Sequence, residues 1–237
     1  MLWGKNMYKY LFWDIDGTVL DFLASEAYAI TELFKRYGLG NCSDEMLKMY
    51  SDINIRYWQM LERNELTKKE ILVGRFREFF SVIGADVSLA ESFNEEYQVA
   101  LGDYVLFVEG AKEVLLSQKG KYTLVVVTNG TRVAQEKKLQ LSGLKDIFDA
   151  VFISECVGAE KPNRAYFDYV FNALGITDKT EVLLIGDSLT SDMKGGINAG
   201  IDTCWFNPEH KPNTPALPVV YEIDKLSDLE NIVPTII

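Results

Sequence analysis

Two aspartates one residue apart, Asp14 and Asp16, are followed at once by Gly17 and Thr18. A carboxylate can serve as a nucleophile and divide a hydrolysis into two easier covalent steps. A second carboxylate two residues on is placed to give and then take the proton. Gly17 has no side chain and reaches backbone conformations closed to other residues, so the turn can swing Asp16 over the site. Three more groups recur along the chain: Thr128-Asn129-Gly130, Glu160-Lys161-Pro162, and Gly186-Asp187-Ser188 with Asp192 beyond it. A threonine hydroxyl and a backbone N–H where a helix begins hold anionic oxygen. Lysine adds a compact positive charge. Several carboxylates together suit a hard cation that prefers oxygen ligands. Each piece alone also reads as an ordinary turn, helix cap or solvated loop.

What lifts these pieces above coincidence is the element that precedes each of them. Short apolar runs occupy Tyr10 to Trp13, Leu124 to Val127, Val151 to Ile153 and Val182 to Ile185, with a fifth at Thr203 to Phe206. They are continuous rather than alternating, as strands buried on both faces are. Helical patterns at Arg132 to Leu141, Arg164 to Leu174 and Asp192 to Ala199 lie between the later runs. Strands alternating with helices predict an α/β fold with a Rossmann-like parallel sheet. Ligands of such sheets bind outside the carboxyl ends of the strands. Asp14, Asp16, Thr128, Lys161 and Asp187 are therefore expected on one edge, far apart as they are in the chain.

Residues 21 to 103 have a different texture. Leu47, Tyr50, Ile53, Tyr57 and Leu61 keep helical spacing, and Thr67-Lys68-Lys69-Glu70 reads as a capping box before a further apolar series. Ser88 to Glu91 reads as a second box. The expected organisation is a catalytic core made of 1–20 plus 104–237, interrupted by an all-helical domain at 21–103. A proline-rich stretch from Asn207 to Pro212, with Pro215 and Pro218 beyond, reads as a surface loop holding His210, the single histidine.

Composition narrows the partners. Asp plus Glu is 35 against 24 Lys plus Arg, a formal net charge of −11. That argues against polymeric nucleic acid and against a polybasic membrane anchor, while a small anionic substrate remains compatible with one lysine and a metal ion. The opening residues lack the long apolar segment and small-residue cleavage site of a secretory leader, and no run is long enough to span a membrane. Cys42, Cys156 and Cys204 are odd in number and far apart, which predicts free thiols in a reducing, cytoplasmic setting, packed as small buried hydrophobes. Oligomeric state is not legible.

Taken in order, the D-x-D-G-T element, the Thr128 and Lys161 groups and the Asp187/Asp192 group resemble the haloacid dehalogenase (HAD) superfamily of hydrolases. The likeness extends over the chain, including a helical cap inserted after the first strand. Two stretches, SECVGAEKPN from Ser154 and GDSLTSDMKGGINAGIDTCWFNP from Gly186, resemble its pyrimidine 5′-nucleotidase branch. The resemblance implies a magnesium-dependent phosphomonoesterase acting through an aspartyl-phosphate, with Asp14, Asp16, Thr128 and Lys161 as catalytic residues. It implies Mg²⁺ held by a side-chain oxygen of Asp14, the backbone carbonyl of Asp16 and a side-chain oxygen of Asp187, with Asp192 acting through water or by orienting Lys161. Phosphate would meet Thr128, the backbone N–H of Asn129, and Lys161. Dehalogenases of the family lack the second acid, because a departing halide needs no proton; Asp16 therefore points to phosphate esters.

The substrate implied is a small phosphorylated metabolite, a nucleotide by the narrower resemblance. Specificity would come from the helical insert, where Arg56, Tyr57, Trp58, Arg75 and Phe76 are candidates for stacking on a base and bonding its edge. The same residues also fit the interior of the insert at helical spacing. A phosphatase of sugar phosphates or phosphoglycolate, a phosphomutase, and a non-catalytic binding protein on the same fold stay open.

Overall fold

The computed structural model describes residues 8–214 and 216–233. The first seven residues, where the absence of a secretory leader is expected from the sequence, lie outside the described residues, as does Pro215. Six strands, β1 (Tyr10–Trp13), β2 (Thr123–Thr128), β3 (Ala150–Ile153), β4 (Val182–Gly186), β5 (Asp202–Phe206) and β6 (Tyr221–Ile223), form one sheet in the order β3-β2-β1-β4-β5-β6. Every neighbouring pair is parallel. The α/β fold expected from the alternating elements is the fold observed. It carries one strand more than the five apolar runs, because Tyr221-Glu222-Ile223 is short and broken by a charge.

Central strand β1 is paired on both sides. Tyr10 lies opposite Thr123 of β2 and Val182 of β4, and Trp13 opposite Val126 and Ile185. Leu11, Phe12, Trp13, Leu124 to Val127 and Val182 to Ile185 are fully buried, as both-face coverage requires. One face packs Phe12, Val125, Val127, Val182 and Leu184 against Tyr166, Phe167, Val170 and Phe171 of a helix over Arg164–Leu174. Asn163 starts that helix by accepting the Ala165 N–H, and Gly175 ends it in the left-handed region.

The helices, in chain order, are α1 (Phe22–Arg36), α2 (Asp44–Glu62), α3 (Lys68–Ile83), α4 (Ala90–Ala100), α5 (Ala111–Gln118), α6 (Arg132–Ser142), α7 (Ser154–Val157), α8 (Arg164–Leu174), α9 (Lys194–Ala199) and α10 (Leu229–Ile232). The chain divides into two compact units, one of residues 1–21, 107–132 and 142–237, the other of 22–106 with 133–141. The helical unit is centred on Phe34, Tyr50, Phe76, Phe79, Phe80, Phe93 and Tyr97. Its α3 opens with the capping box read from the sequence: Thr67 accepts from Glu70 N–H while the Glu70 carboxylate accepts from Thr67 N–H. The second box does not form. Asp86, two residues earlier, takes the Ser88 N–H instead and starts a short 3₁₀ turn over Val87–Leu89, so α4 begins without a side-chain cap.

Of the three free cysteines, Cys204 is buried in β5, Cys42 is half-buried and Cys156 is exposed on α7, so the reading as buried hydrophobes holds only for Cys204. No helix among the described residues is long and apolar enough to cross a membrane.

Candidate active site

The strand ends bring the predicted residues of the sheet unit together. Asp14 follows β1 directly, and its N–H continues the ladder to Ile185 O at 3.0 Å. The chain then folds back tightly: Val19 and Leu20 N–H both reach Ile15 O at 2.9 Å, and Gly17 N–H reaches Leu20 O at 2.8 Å. Gly17 is required here twice over. Its φ is 92°, and a Cβ on it would lie 2.6 Å from Asp187 Oδ2. Thr18, fully buried, directs its hydroxyl between the two acids, 3.5 Å from Asp14 Oδ2 and 3.4 Å from Asp187 Oδ1. Asp16 is half-buried at the outer side of this turn.

Lys161 is the hub. Its Nζ donates to Asp14 Oδ1 at 2.7 Å, to Asp192 Oδ1 at 2.6 Å and to Val127 O at 2.7 Å, and the side chain is 1% exposed. An ammonium has three protons, so all are committed to protein acceptors. Lys161 therefore acts as the counter-charge of two carboxylates, and a direct bond to phosphate requires one of these acceptors to be exchanged. The Lys161–Pro162 peptide is cis.

Asp192 is buried in a five-residue π-helical turn, Leu189–Met193, that leads into α9. Its Oδ2 accepts the Ser188 N–H at 3.1 Å, while Ser188 Oγ accepts the Ser191 N–H at 3.1 Å. Gly186 makes this possible, since a Cβ there would overlap the Asp192 carboxylate. The Asp187 backbone is pinned from β5, where Trp205 Nε1 donates to Asp187 O at 2.8 Å. At the end of β2, Thr128 is buried and its Oγ1 accepts the Gly130 N–H at 3.2 Å. The Asn129 side chain turns to the Lys161 backbone, accepting the Lys161 N–H at 2.8 Å and donating to Lys161 O at 2.8 Å and to Ser191 Oγ at 3.2 Å.

Electrostatics set the character of this cluster. Burial pushes the Asp14 carboxyl well above the usual range; Lys161 opposes that rise, and Asp192 and Asp187 add to it. Burial, then Asp192, pushes Asp187 up to about 7. Burial works against the Lys161 charge, but Asp14 and Asp192 outweigh it and hold its pKa raised. Lys161 is bonded to two of the three carboxylates, Asp14 and Asp192, and oxygens of Asp14, Asp187 and Asp192 all lie within 4.8 Å of one another. An all-oxygen donor set with excess negative charge fits a hard divalent cation, and it is a poor place for soft metals that seek sulfur or imidazole.

A family model for haloacid dehalogenase-like hydrolases matches residues 11–206. The chain belongs to that family. A Bacillus subtilis relative named as a HAD-hydrolase, YfnB, is 38% identical over 227 residues, 95% of each chain. The crystal structure of YfnB, described as bound to magnesium and as revealing interdomain movement, has a TM-score of 0.88 to this chain at 36% identity, over 96% of this chain and 99% of that one. Pyrimidine 5′-nucleotidase PynA of Streptococcus pneumoniae is 35% identical over 223 residues, 94% of this chain and 93% of its own. Pyrimidine 5′-nucleotidase YjjG of Escherichia coli is 28% identical over 225 residues, 95% and 97%.

For this HAD hydrolase the helical-unit candidates divide sharply. Arg75 and Phe76 are interior: Arg75 is 1% exposed and donates to Asn54 Oδ1 at 2.6 Å, Asn94 Oδ1 at 3.3 Å and Leu72 O at 3.3 Å, while Phe76 is enclosed by Tyr50, Phe80, Phe93 and Tyr97. The expectation that they touch substrate is corrected accordingly, because their helical spacing serves the unit's own core. Arg56 is exposed and paired with Glu78. Tyr57 is half-buried against Gly74, and Trp58 is half-buried with Lys68 Nζ 5.8 Å from its ring. These three keep surface that a ligand can reach. Asn129, Thr18 and Trp205 are legible only in part: the first for its backbone alone, the second as a member of the D-x-D-G-T element without a role of its own, and Trp205 within an apolar run without a distinguishing signal.

Proposed function

We propose that this HAD hydrolase is a magnesium-dependent phosphomonoesterase acting through an aspartyl-phosphate on Asp14, with pyrimidine nucleoside 5′-monophosphates as substrates. The observation that carries the reading is the meeting of buried Asp14 and Asp192 on the Lys161 ammonium, with half-buried Asp187 beside them at the strand ends. Asp14 attacks phosphorus with a carboxylate oxygen, and the ester oxygen departs with a proton from Asp16. Water then attacks the acyl phosphate, Asp16 takes its proton, and Asp14 is regenerated. Thr128 and the Asn129 N–H hold phosphate oxygens, and Lys161 opposes the rise that burial imposes on the Asp14 carboxyl. Magnesium, held by Asp14, Asp187 and the Asp16 carbonyl with Asp192 behind them, would supply charge compensation to the transferring group. The second acid supports ester cleavage, since an alkoxide leaving group needs a proton. The pyrimidine assignment is supported by likeness to PynA and YjjG over nearly the whole chain. The helical unit 22–106 serves as the specificity cap, with Arg56, Tyr57 and Trp58 as its contact residues, and the free thiols fit the cytoplasm.

The test is magnesium-dependent phosphate release from a panel of dUMP, UMP, dTMP, AMP, phosphoglycolate, sugar phosphates and p-nitrophenyl phosphate. A kcat/KM for pyrimidine nucleotides at least about tenfold above the rest, about 1.4 kcal/mol of discrimination, is expected. Preference for a sugar phosphate would keep the mechanism and remove the nucleotidase assignment, and silence across the panel would remove both.

A pH dependence follows from the raised carboxyls. In the metal-free protein, Asp187 stays protonated up to about 7 when folded, whereas the unfolded chain releases that proton near the ordinary carboxylate value of 3.8. Native protein thus binds more protons across this window, and the group's contribution to stability falls as pH rises through it. Magnesium requires the ionised form. The increase in Tm on adding saturating magnesium should therefore be larger at about pH 8 than at about pH 5.5. Asp187→Asn should flatten that difference, and an increase of equal size at both pH values would contradict the electrostatic account.

A further inference from the structure

We infer that the side-chain amide of Asn129 is the positioning group of Lys161, setting the place of the ammonium by gripping the lysine's own peptide. Lys161 carries its charge on a stem with four rotatable bonds, yet Nζ meets three acceptors at 2.6 to 2.7 Å. Such precision requires the backbone end of the stem to be fixed as well. Asn129 does this with both halves of its amide: Oδ1 accepts the Lys161 N–H and Nδ2 donates to Lys161 O, each at 2.8 Å. The pattern is that of a neighbouring strand, supplied by a side chain. It also fixes the amide's orientation, because only one placement of Oδ1 and Nδ2 satisfies both bonds.

The end of β2 therefore holds Lys161 at two points. Val127 O receives the ammonium, and Asn129 two residues on receives the peptide. The second Nδ2 contact, to Ser191 Oγ at 3.2 Å, reaches the turn that carries Asp192, the other acceptor of the same ammonium. One amide thus ties three loops from three strand ends into a single frame. This role is separate from the Asn129 backbone N–H proposed for phosphate, which a side-chain substitution leaves in place.

The inference rests on the hydrolase reading of the site, and the test separates the two. Asn129→Ala should lower kcat for p-nitrophenyl phosphate by about 10- to 100-fold, as loss of a supporting shell does, with a smaller change in KM. In a Lys161→Ala background the same substitution should cost less than about threefold, because residues that act through one another are not additive. Asn129→Asp, which keeps the size and the acceptor but loses both donors, enters the same cycle should the alanine variant fold poorly. Independently of turnover, acetylation of Lys161 read by peptide mass mapping should be at least about tenfold faster in Asn129→Ala than in the parent chain, as an interior group becomes exposed by local opening. A full further loss in the Lys161→Ala background, or an unchanged acetylation rate, would overturn the inference. A parent chain that releases no phosphate would fail the hydrolase reading and leave the acetylation rate to decide on Asn129.

Discussion

Asp14→Asn is expected to lower kcat by at least about 10⁴-fold, the scale seen when a nucleophile is removed from a working constellation. The same substitution is expected to raise the Tm of the metal-free protein. Both effects come from one circumstance. The folded protein holds Asp14 where burial and two further carboxylates disfavour its charge, and Lys161 opposes them. An amide of the same shape removes that conflict, and Lys161 keeps its bond to Asp192. A gain of about 1 kcal/mol corresponds to roughly 2–4 °C for a chain of this size. Stability surrendered for reactivity is the general pattern at strained or charged sites. Turnover and thermal melting of the metal-free variant check the pair. Retained turnover would remove Asp14 as nucleophile, and a lowered Tm would mean that its bond to Lys161 outweighs the crowding.

Arg75→Met is expected to produce the largest loss of stability, about 3–5 kcal/mol. In the helical unit, Asn54 stands between opposite charges: its Nδ2 donates to Glu26 Oε2 at 2.9 Å while its Oδ1 accepts from Arg75 at 2.6 Å. Glu26 also accepts from Ser51 and, at 3.4 Å, from Tyr97. Glu26, Asn54 and Arg75 are all almost wholly buried, and burial is the first cause of the raised Glu26 pKa. Removing the guanidinium leaves a carboxylate inside the unit without its compensating charge. Glu26→Gln added to Arg75→Met should restore at least half of the loss, because the interior is neutral again. Chemical denaturation of the single and double variants measures this, and a double variant no better than the single would mean that packing around the Arg75 stem dominates. Substrate KM in Arg75→Met, measured well below its melting temperature, should stay within about threefold of the parent value, since a lost substrate contact would cost more.

Legibility in the sequence followed the strength of local signals. Buried parallel strands announce themselves as unbroken apolar runs, so β1 to β5 and their carboxyl ends were readable, and with them the meeting of Asp14, Lys161 and Asp187. β6 was not, because three residues with Glu222 in the middle carry no run. The Ser88 box failed because Asp86, a better acceptor two residues earlier, captured the same N–H. Arg75 and Phe76 misled for a different reason. An arginine beside a phenylalanine on a helix has one signature for a ligand-binding face and the same signature for a core held by a buried charge, and only the positions of Asn54 and Asn94 on other helices separate the two. Asn129 was found at the right place for a backbone reason. That its side chain grips the Lys161 peptide depends on the detailed course of two loops, which their common place at the sheet edge does not specify.

The pairing of β1 has a consequence for how the chain is made. Tyr10 waits for Thr123 and Val182, so a chain emerging from the ribosome completes α1 to α4 before the central strand of the sheet has any partner. Contacts this distant in sequence are slow to form, and an unpaired apolar strand is the kind of segment that associates with other chains meanwhile. The order of synthesis thus lets α1 to α4 form first, while Leu11, Phe12 and Trp13 stay unpaired until β2 has been made, and α6 joins the helical unit only after that.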